Sequence, residues 1–235
     1  MKSTVEEALK DLRAGKIVLV FDSDDRERET DMVVASEFIT PKVVMQMRKE
    51  AGGLICTAAH NEIKEMFDLP FLVDVFSCSA KDHPVMQLLS PTDIPYDTKS
   101  AFSITINHRA TFTGITDTDR ALTISEFAKL AKKMKGMTGE QARIEFGKTF
   151  RAPGHVHLLN ASKELLVNRF GHTELTTALM VMTGLTPSAT VCEMMGDDGH
   201  ALSKEKAKDY AERYDLCFLE GREIIESWKK WEKSE

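Results

Sequence analysis

What most constrains the fold is the regular alternation of short apolar runs with segments that carry helix-start signals. KIVLVFD (16–22), MVVASEF (32–38), LICTAA (54–59), AFSITINH (101–108), HVHLLN (155–160), SATVCEMM (188–195) and LCFL (216–219) have strand composition. Between them, Ser3 with Glu6, Thr123 with Glu126 and Thr138 with Gln141 have capping-box spacing, and Thr40-Pro41 pairs a cap with a first-turn proline. Thr173 is expected to cap a helix ending near Gly184, and Ser203 to open an amphipathic one. Residues 77–100 show no clear periodicity and hold Pro84, Pro91 and Pro95, so they are expected to form a long loop of the functional or mobile kind. With no repeat or linker, the 235 residues are expected to form one α/β domain over 1–235.

Composition narrows the function classes. Thirty-one basic against 37 acidic residues give a net charge of −6, so no overall electrostatic attraction to nucleic acid is expected, although a local phosphate pocket is compatible with it. No run approaches the ~20 apolar residues of a membrane span, and the first sixteen residues lack a signal-peptide core. A cytoplasmic location, with neither nucleic acid nor membrane as partner, is the expectation. Cys56, Cys78, Cys192 and Cys217 are too widely spaced for a structural zinc site and are expected to be reduced thiols.

Four segments carry chemistry. The stretch Asp22–Asp31, directly after a buried strand, holds six carboxylates in ten residues. Such a charge density needs cations or hydrogen bonds to offset it, and hard carboxylate oxygens suit Mg²⁺ or Mn²⁺. A solvated surface loop is the plainer reading of the same residues. Arg169-Phe170-Gly171-His172-Thr173-Glu174 opens a helix, where Thr173 and Glu174 are ordinary N-terminal residues. Arg169 and His172 are not explained by capping; they sit where an anion would meet free backbone N–H groups, and histidine is also a metal ligand. Pro153-Gly154 precedes His155 and His157, which share a face if the segment is a strand, and the turn would aim His155 into a cleft. Glu193 stands in an otherwise apolar strand, either at its end or as a working carboxylate.

The order of these segments is more specific than any one of them. Asp-Arg-Glu-x-Glu-x-Asp (25–31), Gly-Gly-Leu-Ile-Cys (52–56), Thr-Gly-Ile-Thr-Asp-x-Asp-Arg (113–120), Pro-Gly-His-Val (153–156), Gly-His-Thr-Glu (171–174) and Cys-Glu-x-x-x-Asp-Asp-Gly (192–199) follow one another. The sequence resembles the 3,4-dihydroxy-2-butanone 4-phosphate synthases of riboflavin biosynthesis over nearly its whole length. The resemblance implies an α/β sandwich with a mixed β-sheet flanked by helices. It implies conversion of D-ribulose 5-phosphate to L-3,4-dihydroxy-2-butanone 4-phosphate and formate, with Mg²⁺ or Mn²⁺ (two ions per site) and a homodimer whose active sites lie near the interface.

By resemblance, Glu27 and His172 hold metal, and His155 and Glu193 are essential to catalysis. Arg26, Glu27, Asp31, Cys56, Thr113, Arg169, Gly171, His172, Thr173 and Glu193 match substrate-binding positions. Asp31, His155 and Glu193 are expected to move protons, and Glu29 to support the metal shell. The first base is not decided between them. Arg28 and Thr30 occupy the variable positions of the acidic motif, and Asp93-Ile94-Pro95-Tyr96 is a candidate lid segment. The second catalytic domain of some relatives, a GTP cyclohydrolase, has no counterpart here, so a single activity is expected. A metal-dependent phosphatase and a non-catalytic metabolite-binding protein are the competing readings.

Overall fold

A computed structural model describes residues 3–91 and 93–234. Seven strands form one mixed sheet: β1 (Val18–Phe21), β2 (Thr30–Ala35), β3 (Cys56–Ala59), β4 (Phe102–His108), β5 (Phe150–Asn160), β6 (Ser188–Glu193) and β7 (Cys217–Glu220), in the order β4-β5-β3-β6-β2-β1-β7. The β1–β7 and β3–β5 pairs are parallel and the other four antiparallel. The continuous apolar runs are explained by burial on both sides, since successive strand side chains point to opposite faces. Leu19 and Phe21 of β1 join one core with Met32 and Val34, while Val18 and Val20 join the other with Val33 and Ala35.

Helices cover both faces. Against the first lie α2 (Pro41–Glu50), α3 (Asn61–Phe67), α6 (Asp117–Lys133), α7 (Gly139–Thr149) and α9 (Lys204–Arg213), through residues such as Met47, Ile63, Phe127, Ala142 and Ala211. Phe67, Phe127, Phe146 and Phe150 form an aromatic cluster there, with centroids 5.0–6.4 Å apart. Against the second lie α1 (Val5–Arg13), α8 (His172–Thr183) and α10 (Gly221–Trp231), through Leu12, Leu175, Leu179 and Trp228. The α8 helix is buried nearly all round, so its sequence shows little amphipathic pattern. Among the described residues, no helix is long and apolar enough to cross a membrane.

Several local expectations are corrected. The capping box of α1 is Thr4 with Glu7, one residue beyond Ser3 and Glu6. Thr123 caps nothing: α6 starts at Thr116, and the Thr123 hydroxyl lies inside the helix, accepting from His108 N at 2.9 Å and so tying α6 to β4. A four-residue capping pattern can occur by chance within a helix, and only the backbone decides which threonine stands at the start. Residues 77–100 are not purely loop: α4 (Leu72–Ser79) and the short α5 (Val85–Leu88) lie in and beside them, with no buried residue to impose periodicity.

Pro153-Gly154 makes no turn. It lies within β5 where the β4 ladder jumps from Ile106↔Val156 to Asn107↔Arg151, leaving residues 152–155 as a bulge. Gly154 is required there, because a Cβ would stand 2.0 Å from the Ile106 carbonyl carbon.

Candidate active site

The acidic stretch is folded by its own first carboxylate. Asp22, buried just past the end of β1, accepts from Glu27 N at 2.9 Å and Glu29 N at 3.2 Å. This curls the chain so that β2 can return antiparallel, pairing Val20 with Asp31 and Phe21 with Thr30. Arg28 takes the left-handed conformation at φ 61° within the bend. The repulsion among these carboxylates is therefore offset by backbone donors and by what faces them.

What faces them is the start of α8. His172 is buried with Nδ1 3.1 Å from Glu27 Oε2, and Nε2 3.2 Å from Val20 O and 3.5 Å from Asp31 Oδ1. Asp31 on β2 is registered with Glu193 on β6, so the two carboxylates are cross-strand neighbours on the α8 face. Burial disfavours the charged imidazole, but Asp31, Glu27 and Asp22 outweigh it and lift the His172 pKa to about 10. Burial alone would lift Glu27, yet His172 and Arg26 hold its carboxyl below the ordinary value. Asp31 lies well above its ordinary value, through burial first and then Glu193, Glu27 and Glu29, against the pull of His172. Glu29 is raised by burial and by Glu27 and Glu193. Burial, with Glu193 and Asp31 nearby, pushes the Cys56 thiol well up, so it is no thiolate nucleophile.

Two guanidinium groups converge beside this cluster. Arg26 Nη2 is 2.7 Å from Asp97 Oδ2, and Arg169 donates to the same oxygen through Nε at 2.7 Å, with Nη2 also 2.7 Å away. Arg169 Nη1 turns inward to Glu174, a fully buried carboxylate that also accepts from Ser162 N at 2.9 Å. The Tyr96 ring lies 5.3 Å from the Arg26 guanidinium carbon. Gly171 makes the convergence feasible: a Cβ there would stand 2.7 Å from Arg26 Nη2 and 2.8 Å from Arg169 Nη1.

Gly171 is also the N-cap of α8 and offers no side-chain cap, so Thr173 is a first-turn residue and not the cap expected. Thr173 lines the adjacent cavity, and the helix N-terminus there has N–H groups of the kind that bind anions.

These groups surround a cavity of about 130 Å³. Glu27, Asp31, Cys56, Arg169, His172, Thr173 and Glu193 all line it, so seven expected residues from four separate chain segments meet. Arg26 and Gly171 abut its walls, and Glu29 is electrostatically coupled to Glu27 and Glu193. Thr113 and His155 do not line it. They meet at Asn107, whose Nδ2 is 3.2 Å from His155 Nδ1 and donates to Thr113 O at 3.3 Å, while His155 N donates to its Oδ1 at 2.9 Å. His155 is exposed there.

Two site residues, Asp22 and Asp97, are not distinguished by the sequence alone. Asp22 is hidden among five other carboxylates; its place at a strand end is the signal that points to it. Tyr96 and Asp97 belong to or adjoin the candidate lid segment, and with Ile94, Lys99 and Ser100 they do line the cavity.

The donor set fits a divalent cation. Asp22, Glu27 and His172 each offer a ligand atom, and these atoms lie within 4.8 Å of one another. Asp31 Oδ1, buried beside them, has no hydrogen-bond partner. Carboxylate-rich donors with one imidazole suit Mg²⁺ or Mn²⁺ better than a thiophilic metal.

Comparison with known proteins identifies the family. A profile of the 3,4-dihydroxy-2-butanone 4-phosphate synthase family matches residues 6–227. Proteins bearing that name from Methanothermobacter thermautotrophicus and Methanosarcina acetivorans are 52% and 46% identical to this chain. The alignments cover 97% and 98% of this chain and 96% and 93% of those relatives. The solved structure of the Candida albicans protein of the same name superposes with a TM-score of 0.74 at 25% identity, covering 97% of this chain and 98% of that one. Another synthase structure, in complex with two magnesium ions, has a TM-score of 0.77 at 23% identity and 98% coverage of both chains, a likeness of fold. The chain belongs to the 3,4-dihydroxy-2-butanone 4-phosphate synthase family.

Proposed function

We propose that this protein converts D-ribulose 5-phosphate to L-3,4-dihydroxy-2-butanone 4-phosphate and formate. The observation that carries the reading is the meeting of Glu27, Asp31, Glu193 and His172 with Arg169 and a helix N-terminus around one small cavity. The Asp31–Glu193 pair, set side by side across strands beyond the metal ligands and the anion seat, favours a reaction with several proton transfers over simple phosphate release.

Glu27 and His172, with Asp22, would hold Mg²⁺ or Mn²⁺, and Glu29 would support that shell. When bound, the cation supplies Lewis-acid stabilisation to charge developing on substrate oxygens. Arg169, Thr173 and the N-terminus of α8 would bind the phosphate, and Arg26 would orient the sugar. Asp31, whose carboxyl is lifted well above its ordinary value by burial and by Glu193, Glu27 and Glu29, would carry a proton in the reaction. Glu193, its cross-strand neighbour, would exchange that proton with the substrate. Cys56 and Val191, both buried, form an apolar part of the cavity lining.

The working form in this reading is a homodimer in which Thr113 and His155 serve the partner's cavity. Two observations support it: neither residue lines the cavity of its own chain, and Phe112 and Ile115, which flank Thr113, are 94% and 51% exposed. Exposed apolar surface of this kind is gained back when a second copy covers it.

The test is carbon-13 NMR of labelled ribulose 5-phosphate with the protein and Mg²⁺, then with excess chelator. Labelled formate and a four-carbon ketone phosphate, both lost on chelation, are expected. Inorganic phosphate without formate would establish a phosphatase, and metal binding without turnover a binding protein.

A further inference from the structure

Arg169 presents its planar fork, Nε and Nη2, to one oxygen of Asp97 at 2.7 Å, and Arg26 Nη2 reaches the same oxygen at 2.7 Å. That fork is the part of an arginine that grips phosphate in bidentate fashion. The remaining Arg169 terminal nitrogen is committed to Glu174. The guanidinium offered to a substrate anion is thus already occupied by an anion from the chain itself. Asp97 is well fixed, since its other oxygen accepts from Thr98 N at 2.8 Å, and its carboxyl is held below the ordinary range despite partial burial.

Local charge points the same way. Glu27, Asp31, Asp97 and Glu193 line the cavity against His172, Arg169 and Lys99, and the Lys99 ammonium is paired with Asp74 at 2.9 Å. A phosphate dianion entering beside Asp97 would meet a seat already neutralised.

We propose that Asp97 sets an affinity threshold at the phosphate seat: it is a resident carboxylate that occupies the two arginines and must be displaced by any phosphate ligand. This rests on the assignment of Arg169 to the substrate phosphate. A free phosphate ion has only the seat itself to gain and is excluded by the resident carboxylate. A sugar phosphate also gains contacts from its hydroxyls to the carboxylate cluster, and these offset the displacement. The displacement cost is common to both ligands, so Asp97 weakens both and keeps an ion without a sugar from filling the seat at concentrations where the sugar phosphate still binds. The opposite role, positioning the two arginines for phosphate, predicts the opposite sign on substitution.

The experiment measures binding of inorganic phosphate by equilibrium dialysis to the unaltered protein, Asp97→Asn and Asp97→Ala, each with saturating Mg²⁺. KM and kcat for ribulose 5-phosphate are measured in parallel. The dissociation constant for phosphate is expected to fall at least tenfold in both variants, with KM falling as well, so that inorganic phosphate fills the seat at concentrations that leave it empty in the unaltered protein. Unchanged or weaker phosphate binding, with a raised KM, would overturn the proposal in favour of a positioning role. Turnover by the unaltered protein tests the reaction, and phosphate binding tests Asp97, so the two readings fail separately.

Discussion

Removing Arg169 is expected to destabilise the fold in a pH-dependent way, independently of any effect on substrate. Glu174 is 0% exposed, and its two acceptor contacts are Arg169 Nη1 and Ser162 N. Burial lifts its carboxyl above the ordinary value of 4.5, with Arg169 and Ser162 pulling against that lift. Arg169→Met keeps the apolar stem and deletes the cation, leaving Glu174 to stay charged with only Ser162 N as its donor or to take up a proton. Breaking a buried pair in this way costs about 3–5 kcal/mol. The protonation route gives a similar ceiling: holding a proton from an unfolded pKa near 4.5 up to about pH 7.5 costs about 1.4 kcal/mol per pH unit, or about 4 kcal/mol.

The sign follows from proton counting. A raised native pKa means that the native state binds a proton the unfolded chain has released, so stability falls as pH rises above the unfolded value. Urea unfolding followed by circular dichroism is therefore expected to show a deficit of about 3–4 kcal/mol near pH 7.5, shrinking to about 1 kcal/mol near pH 5. Adding Glu174→Gln to Arg169→Met is expected to restore at least half the loss near neutrality without restoring turnover. A deficit under about 1 kcal/mol, or one that does not vary with pH, would refute the reasoning.

Other outcomes follow from the same geometry. Glu27→Gln is expected to leave the unfolding midpoint within a few degrees of the parent and to lower turnover at least ~100-fold, because even outer-shell metal partners are worth about 10–100-fold; full activity on adding Mg²⁺ would remove its ligand role. His172, with its pKa lifted to about 10, contributes stability that is fully present below its unfolded value near 6.5 and is lost as pH rises through about 10. In chelator, stability is expected to fall across that window by at most ~1.4 kcal/mol per pH unit more than in His172→Gln, and saturating Mg²⁺, which displaces the proton, is expected to flatten the difference. Mixing inactive Glu27→Gln and His155→Ala chains is expected to regenerate up to about a quarter of full activity, since half the dimers then carry one intact site of two; no regain after subunit exchange would place both residues in one chain's site. Gly154→Ala is expected to cost about 3 kcal/mol or more by thermal unfolding, because its Cβ would meet the β4 backbone at 2.0 Å.

The strand and helix alternation was legible because local sequence fixes what each segment buries. The runs at 16–22, 54–59 and 188–195 have no polar face to expose, so a sheet covered on both sides was their natural fate. Thr40-Pro41 and Thr138 with Gln141 marked true helix starts for the same local reason. Of the candidate site, the residue types and their order were visible, as was the conflict of six carboxylates in ten positions.

What sequence could not say was which of those carboxylates faces which partner. Asp22 folds the loop, Glu27 meets His172 from 145 positions away, and Asp31 meets Glu193 only because β2 and β6 are neighbours in the sheet. The last two are long-range pairings set by how the strands and α8 are arranged, and that arrangement has no local signal. The same holds for Asp97, which sits in a segment without periodicity and acquires its character from arginines 71 and 72 positions distant. Thr113 and His155 show the reverse case: their motifs were clear in the sequence, and the fold of one chain sets them apart from the cavity. The sequence by itself determined which chemical groups the protein possesses and which segments are strand or helix, since those depend on near neighbours along the chain. The tertiary structure alone decided which groups share a low-dielectric space, because charge, burial and hydrogen bonding act over a few ångströms whatever the separation in sequence.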